Sequence, residues 1–159
     1  MSSPLKIRTA TQEDRSPLVA VVNAAFAIET FIDGTRTDEQ DLERLMHSGD
    51  FLIGEDESGE PTATVNVEIR GSRGYLGMLA VHPRHQGKGW GRIMVEAAEN
   101  YFRQRNCTAV DMHILSLRSE LPPFYSKLGY EQTGMEEFRP SRPLKPGVEC
   151  HCIVMSKRL

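Results

Sequence analysis

The apolar positions in the first third of the chain predict one strand followed by two helices. The alternation in LKIRTA (5–10) is typical of a short strand, and Thr11 with Asp14 then marks a helix start. A second helix is expected to begin with Thr37 as its N-cap. Apolar residues recur at three- and four-residue intervals in both helices: Leu18, Val19, Val22, Ala25 and Phe26 in the first, and Leu42, Leu45 and Met46 in the second.

Alternation with a period of two dominates residues 50–81. β-Branched and polar side chains alternate there, and glycine-containing turns interrupt the pattern at ESGE (57–60) and RGSRG (70–74). We therefore expect three consecutive strands, which pair most simply as an antiparallel meander.

The pattern changes after the third of these strands. The glycine-rich loop RHQGKGWGR (84–92) precedes a helix that runs to about Arg105, and the strand AVDMHIL (109–115) follows. A strand–helix–strand unit of this kind joins parallel neighbours through a right-handed crossover. A short helix at LPPFYSKLG (121–129) and two C-terminal strands come next. These elements predict an α/β fold with a mixed, mostly antiparallel, twisted sheet of about 6–7 strands and about four flanking helices.

Length and composition favour an ordinary globular protein. The chain has 159 residues, of which 39% are hydrophobic and 26% are charged, and its formal net charge is -3. This length suits a single domain over residues 1–159. The acidic balance gives no general attraction to nucleic acid, and the sequence contains neither a signal-like start nor an apolar run near the roughly 20 residues that span a bilayer. A cytoplasmic protein without nucleic-acid or membrane partners is expected.

The three cysteines, Cys107, Cys150 and Cys152, give little reason to expect disulfides or a metal site. Their number is odd, and Cys150 and Cys152 are separated by a single residue. No Cys-x-x-Cys pair is present, so the spacing does not match a zinc site. We expect buried side chains and no metal.

The glycine-rich loop carries glycines at alternate positions, Gly87, Gly89 and Gly91, where the strand ends and the helix begins. Glycines in this pattern allow backbone N–H groups to approach a ligand closely. The positive end of the helix dipole attracts anions, and the basic residues Arg84 and Arg92 add charge. The loop therefore predicts a phosphate or pyrophosphate site.

Two familiar phosphate loops fit this sequence poorly. A P-loop requires Ser or Thr after its lysine, whereas Lys88 is followed by Gly89. The Rossmann fingerprint requires Gly-x-Gly-x-x-Gly, and the loop has Gly-x-Gly-x-Gly. Asp111, on the next strand, keeps a Rossmann-like dinucleotide site open as an alternative.

Two motifs occur in order along the second half of the chain. The segment LAVHPRHQGKGWGRIMVEAAENYF contains Gln86, Gly89 and Gly91 in a Gln/Arg-x-x-Gly-x-Gly/Ala pattern. The segment PPFYSKLGYEQTG contains an aromatic-Tyr-x-Lys-x-Gly-aromatic pattern, formed by Phe124, Tyr125, Lys127, Gly129 and Tyr130. In this combination the chain resembles the GNAT superfamily of acetyl-CoA-dependent N-acetyltransferases.

The resemblance, which covers about residues 75–134, implies a GNAT-like fold and a binding site for acetyl-CoA. Leu79 and Val81 would offer main-chain groups to the pantetheine arm of the coenzyme. Arg118 occupies a position where the family often has Asn, and it is expected to contact the coenzyme instead. The pyrophosphate would be held by the backbone N–H groups of Gln86, Gly87, Lys88, Gly89, Trp90 and Gly91.

Amine acetylation needs a proton donor for the departing thiolate and a proton acceptor for the amine. Tyr125 matches the family's general acid, since a phenol with an ordinary pKa of about 10 is protonated at neutral pH. The strand YLGMLAV (75–81) contains no carboxylate, so Glu68 on the preceding strand is the candidate base. His113 or a water molecule remains an alternative.

The segment between the first two helices is expected to bind the acceptor. In similar folds this segment borders the acceptor site, and its acidic and aromatic residues would suit a cationic amine. The candidates are Phe26, Glu29, Phe31 and Asp33. The proline-rich stretch FRPSRPLKPG (138–147) is a candidate for the opposite wall.

These observations predict an enzyme that transfers the acetyl group of its co-substrate acetyl-CoA directly to a primary amine of a small molecule, without a metal. Three alternatives stay open. They are a peptide or protein acceptor, a GNAT-like module that binds coenzyme A or another nucleotide without catalysis, and a Rossmann-like dinucleotide binder. A homodimer is one assembly that the sequence permits.

Overall fold

The computed structural model of the chain describes residues 4–138 and 142–159. Seven strands and four α-helices form in this part of the chain, and none of these helices is long and apolar enough to cross a membrane. The strands are β1 (Lys6–Thr9), β2 (Asp50–Glu55), β3 (Pro61–Arg70), β4 (Arg73–Val81), β5 (Ala109–Leu115), β6 (Glu131–Glu137) and β7 (His151–Arg158). The helices are α1 (Arg15–Phe26), α2 (Glu39–Ser48), α3 (Trp90–Gln104) and α4 (Leu121–Ser126).

The strands form one sheet in the order β1-β2-β3-β4-β5-β7-β6. β2, β3 and β4 pair as the antiparallel meander that the sequence predicts. β4 and β5, the strands joined by α3, are parallel, as expected for a crossover. β7 lies between β5 and β6 and is antiparallel to both. The predicted α/β class with a mixed, mostly antiparallel sheet is therefore confirmed.

The sheet separates two apolar layers. On one face, β3 packs against α3 through side chains such as Val65. On the other face, Leu18 and Leu42 bring α1 and α2 onto β2. Thr64 is also buried, and its hydroxyl donates to the backbone carbonyl of Leu52 at 2.8 Å. Burial of apolar surface thus holds the helices on the sheet, while the buried polar group is satisfied by the neighbouring strand.

One predicted helix start is confirmed and one is wrong. The backbone N–H of Thr11 donates to the Asp14 carboxylate at 2.7 Å, and a 3-10 turn leads from there into α1. Thr37, predicted as the N-cap of α2, is buried, and its hydroxyl donates to the Asp41 carboxylate at 2.7 Å. The cap is the next residue, Asp38, whose carboxylate accepts from the backbone N–H of Asp41 at 2.8 Å. Tertiary packing of Thr37 therefore shifts the helix start by one residue.

A bulge in β4 opens the sheet next to β5. Met78 and Leu79 of β4 together oppose the single residue Val65 of β3, and Met78 has a φ of 47°. Such a bulge bends a strand and increases its twist. β4 pairs with β5 only from Arg73 to Tyr75, so the two parallel strands separate beyond Tyr75. The remainder of β4 therefore has no strand partner on its β5 side.

Candidate active site

The loop between β4 and α3 depends on glycine for its conformation. Gly87 and Gly89 have φ values of 83° and 80°, a left-handed backbone that residues with a Cβ rarely adopt. Gly89 is the N-cap of α3, and Gly91 lies in the first turn of that helix. A Cβ built on Gly87 or Gly89 would meet no protein atom within 4 Å. The space beside both glycines is therefore open to a ligand.

The loop also presents unpaired hydrogen-bond donors. Within the described residues, the backbone N–H groups of Gly87, Lys88 and Gly89 make no hydrogen bond. The first N–H groups of α3 add to this set, because a helix leaves them without partners. The Gln86 side chain donates to the backbone carbonyl of Val81 at 3.2 Å and so joins the loop to the end of β4. Together these donors have the chemistry of an anion site.

Trp90 anchors the loop in the apolar core. Its side chain is buried among the residues that pack α3 on the sheet. The His85 ring stacks on it with 4.5 Å between ring centroids, and the Lys88 ammonium lies 5.2 Å from its ring centroid. The backbone N–H of Trp90 therefore remains available for the predicted contact with the coenzyme. Its indole ring, by contrast, is part of the apolar core.

A cavity of about 830 Å³ lies where β4 and β5 separate. The predicted site residues that line it are Phe26, Glu29, Glu68, Leu79, Arg118 and Tyr125. The glycine loop lies beside one end, since a Cβ on Gly91 would contact Phe124 of α4 at 3.5 Å and Val81 at 4.0 Å. The loop, the end of β4 and the helix that carries Tyr125 therefore converge.

Tyr125 of α4 lines the cavity and is itself almost fully buried. The residue is 5% exposed, and burial raises the pKa of its phenol well above the ordinary range. Its ring makes edge contacts with Phe124 and Tyr130, at centroid distances of 4.9 and 5.9 Å. Among the residues that the structure describes, none hydrogen-bonds to the hydroxyl. Tyr125 is thus a protonated donor held by its neighbours and available to a ligand.

Arg118 joins the two sides of the cavity. Its Nη1 donates to Glu29 Oε2 at 2.6 Å, and its Nε donates to Glu120 Oε1 at 2.5 Å. Glu29 is buried, and desolvation raises the pKa of its carboxyl group. The other oxygen, Glu29 Oε1, is buried and has no hydrogen-bond partner in the described part of the chain. The charge of Arg118 is therefore balanced by two carboxylates, and the predicted contact with the coenzyme remains a prediction.

Glu68 and His113, the two candidate bases, both line the cavity. Glu68 accepts from Arg70 Nε at 3.2 Å, while His113 Nε2 lies 3.2 Å from Glu136 Oε2. The Tyr75 ring lies between them: it is opposite Glu68 in the β3–β4 register, and its centroid is 5.3 Å from that of His113. The sequence analysis did not identify Tyr75, although the register of a meander pairs it with Glu68.

The predicted acceptor segment contributes only part of its side chains to the cavity. Phe31 and Asp33 do not line it, because their backbone pairs with the C-terminal connection instead. Lys145 donates to the carbonyl of Phe31 at 2.9 Å, and the N–H of Asp33 donates to the carbonyl of Pro143 at 2.9 Å. The proline-rich stretch 138–147, which was predicted as the opposite wall, therefore contacts this segment. Residues 139–141 of that stretch lie outside the described residues.

The cysteines lie away from this site or at its edge. Cys107 and Cys152 are buried, Cys150 is half-buried, and all three are free thiols. In residues 4–138 and 142–159, no group of three or more His, Cys, Asp or Glu side chains is arranged to hold a metal ion.

A model of the acetyltransferase (GNAT) family matches residues 18–130 of the chain. This range includes most of α1, the whole meander, the glycine loop, α3, β5 and α4. Both sequence motifs that suggested the resemblance lie almost entirely inside it.

Known proteins of similar sequence and structure agree with this match. The mycothiol acetyltransferase of Propionibacterium freudenreichii subsp. shermanii is 25% identical over 142 residues, which are 84% of this chain and 45% of that protein. The chain thus spans less than half the length of that relative. The ribosomal-protein-S18-alanine N-acetyltransferase of Escherichia coli superposes with a TM-score of 0.81 at 15% identity, over 97% of this chain and 93% of that one. The protein yncA of Salmonella typhimurium, solved with its cofactor acetyl-CoA, superposes with a TM-score of 0.75 at 22% identity, over 99% and 95% of the two chains.

Proposed function

The chain belongs to the GNAT family of acetyltransferases, and on this basis we propose that it transfers the acetyl group of acetyl-CoA to a primary amine of a small molecule. Acetyl-CoA supplies the acetyl group as a thioester. The chain's own residues bind the coenzyme, position the amine and move two protons.

The separation of β4 from β5 carries this proposal. Beyond Tyr75, β4 has an unpaired edge that includes Leu79 and Val81, and an extended pantetheine arm can add to such an edge through main-chain hydrogen bonds. The unpaired N–H groups of Gly87 and Gly89 stand at the end of the same strand and suit a pyrophosphate. A phosphate-binding loop at the end of a free strand edge suits a ligand that is long and carries phosphate at one end. This arrangement favours a nucleotide thioester over a compact anion.

Tyr125 is the proposed general acid. Its phenol is protonated at neutral pH, as an ordinary phenol is, and burial raises its pKa further; the residue lines the cavity into which the β4 edge leads. As the amine nitrogen bonds to the acetyl carbon and the carbon–sulfur bond breaks, Tyr125 donates its proton to the sulfur. The product thiol then leaves neutral.

Glu68 is the proposed general base. It accepts the proton that the amine loses on forming the amide. Its protein partner, Arg70, is exposed, so the carboxylate has acceptor capacity to spare, whereas His113 already uses Nε2 toward Glu136. A carboxylate on β3 and an imidazole on β5 both reach the cavity, so the lack of an acid on β4 does not favour a non-catalytic module.

A small acceptor is supported by the wall of the cavity. The segment after α1 is tied to the C-terminal connection by the bridge between Ile32 and Leu144, and Arg142 forms an ion pair with Asp38. These contacts reduce the space that a polypeptide acceptor would need on this side of the cavity. A protein acceptor is the second candidate, because the Escherichia coli neighbour acts on an alanine of a ribosomal protein.

The proposal is tested by titrating the purified protein with acetyl-CoA, ATP and NAD, and by measuring thiol release with a panel of amines and peptides. We expect binding of acetyl-CoA alone and thiol release that depends on a small amine. Binding of NAD but not acetyl-CoA would contradict the coenzyme assignment. Binding of acetyl-CoA with release only in the presence of peptides would replace the small amine by a polypeptide acceptor.

A further inference from the structure

One of the arginines that line the cavity has no carboxylate partner among the described residues. Five arginines line the cavity: Arg36, Arg44, Arg70, Arg118 and Arg142. Four of these have a carboxylate partner, in the pairs Arg44–Asp41, Arg70–Glu68, Arg118–Glu29 and Arg142–Asp38. Arg36 is the exception. In the described part of the chain it makes no ion pair and no hydrogen bond.

Arg36 is held in place by an aromatic ring. Its guanidinium lies 5.5 Å from the ring centroid of Phe26, and the residue is half-buried. The same ring has Arg118 at 5.8 Å, so the two arginines are organised around one side chain. A guanidinium that is oriented by stacking and has all its N–H donors free is well suited to bind an anionic group.

An acceptor without a donor lines the same cavity as this unpaired cation. Glu29 is 6% exposed, and its Oε2 is occupied by Arg118. Its Oε1 has no hydrogen-bond partner among the described residues, although a buried carboxylate oxygen in this state is costly. Glu29 also lines the cavity, so a bound molecule can supply the missing donor. An ammonium or amine N–H group has the chemistry required.

We propose that the acceptor is a small zwitterion of the amino-acid type, with its carboxylate on Arg36 and its amino group donating to Glu29 Oε1. This assignment rests on the proposed acetyl transfer, and it adds the chemical class of the acceptor. A carboxylate is favoured over a phosphate because one unpaired guanidinium balances one negative charge, whereas a phosphate monoester carries more. Phe26 provides an apolar contact between the two charged positions.

The test measures binding rather than turnover. The twenty common amino acids are titrated into the protein saturated with coenzyme A, and each that binds is compared with the amine left when its carboxylate is removed. We expect the amino acid to bind about 10- to 100-fold more tightly than its decarboxylated amine, because a charge-assisted hydrogen bond is lost with the carboxylate. Arg36→Gln should remove this preference, and Arg36→Lys should restore part of it.

The matched control is Arg44→Gln. Arg44 lines the same cavity but is paired with Asp41 and is largely exposed, so the preference for the carboxylate should persist. Tighter binding of the decarboxylated amines, binding by no amino acid, or a preference that survives Arg36→Gln would each overturn the assignment.

Thiol release measured in parallel separates this assignment from the proposed reaction. Selective binding of amino acids through Arg36 without any thiol release supports a binding site for the zwitterion and contradicts acetyl transfer, so the bound molecule would not be an acceptor. Thiol release with uncharged amines as efficient as with amino acids contradicts the assignment and leaves acetyl transfer intact.

Discussion

One end of the proposed site is formed by backbone groups and the other by side chains. The proposed coenzyme end consists of backbone: the left-handed glycines Gly87 and Gly89, their unpaired N–H groups and the free edge of β4. The proposed acceptor end consists of side chains from separate elements, of which Glu29 after α1 and Arg118 before α4 are joined by a buried ion pair. A backbone site needs only a local sequence that permits its conformation, whereas a side-chain site needs partners distant in sequence.

The similarity to known proteins concerns the fold and does not identify the acceptor. The family model covers residues 18–130, and solved structures at 15% and 22% identity share the fold. We expect the specificity for the acceptor to depend on side chains, among them the ion pair of Glu29 with Arg118 and the unpaired Arg36.

The largest expected effect separates chemistry from coenzyme binding. Tyr125→Phe removes the proposed acid, so we expect kcat to fall by about 10²- to 10⁴-fold while the Kd for coenzyme A stays the same. The matched control is Tyr101→Phe, since Tyr101 donates to Asp50 at 2.6 Å outside the cavity and its loss should leave kcat unchanged. Steady-state kinetics and calorimetry measure both quantities. An unchanged kcat in Tyr125→Phe would remove Tyr125 from the mechanism.

The next effect identifies the proton acceptor. Glu68→Gln keeps the size of the side chain and removes its basicity, so we expect kcat to fall by about 10²-fold and its dependence on pH to weaken. His113→Gln serves as the comparison, and a smaller loss is expected. If His113→Gln costs more turnover than Glu68→Gln, the base is the histidine, and Glu68 has another role.

Gly89→Val tests the backbone character of the coenzyme end. A valine at a φ of 80° is strained and places a branched side chain in the open space, so the Kd for coenzyme A should rise by about 10- to 100-fold. Gly59 has a φ of 84° and equally open surroundings but lies in the β2–β3 turn. Gly59→Val should therefore lose similar stability and keep full affinity. Equal affinity in both variants would contradict a site made of loop backbone.

The smallest expected effect concerns the stability of the acceptor end. Burial raises the pKa of Glu29 above its ordinary value of 4.5, so its carboxyl group is protonated more readily in the native state than in the unfolded chain. Stability from this group is present below pH 4.5 and is lost as the pH rises through the higher native pKa. In Glu29→Gln this loss is absent, so the free energy of unfolding of the variant, measured in urea, should rise relative to that of the wild type as the pH increases above 4.5. A difference that does not change with pH would show that burial of Glu29 has no such cost.

Prediction from sequence succeeded where the signal was local. The strand Ala109–Leu115 has the predicted bounds, and the meander and crossover follow from alternation and glycine placement. The position of β7 between β5 and β6 has no local signal, because it depends on which edge the C-terminal strand reaches. The shift of the α2 cap from Thr37 to Asp38 has the same origin, since burial of Thr37 is a tertiary effect.

The candidate site follows the same rule. The glycine loop and Tyr125 were identified from motifs, while Arg36 was missed, because an unpaired guanidinium can be identified only when the partners of every other arginine are known. Phe31 and Asp33 were chosen for their chemistry and their place in the chain. In the structure their backbone is hydrogen-bonded to residues 143–145. These residues are more than a hundred positions away in the sequence, so a local sequence pattern cannot predict the contact.

The central claim is that the backbone of the glycine loop holds the coenzyme, and amide resonances test it most directly. In a titration of the isotopically labelled protein with coenzyme A, we predict the largest shifts at the N–H groups of Gly87, Lys88 and Gly89, with little change at Gly59. The pantetheine fragment, which lacks the pyrophosphate, should leave these loop signals in place. Saturation with coenzyme A that shifts other residues but not the loop amides would contradict the account.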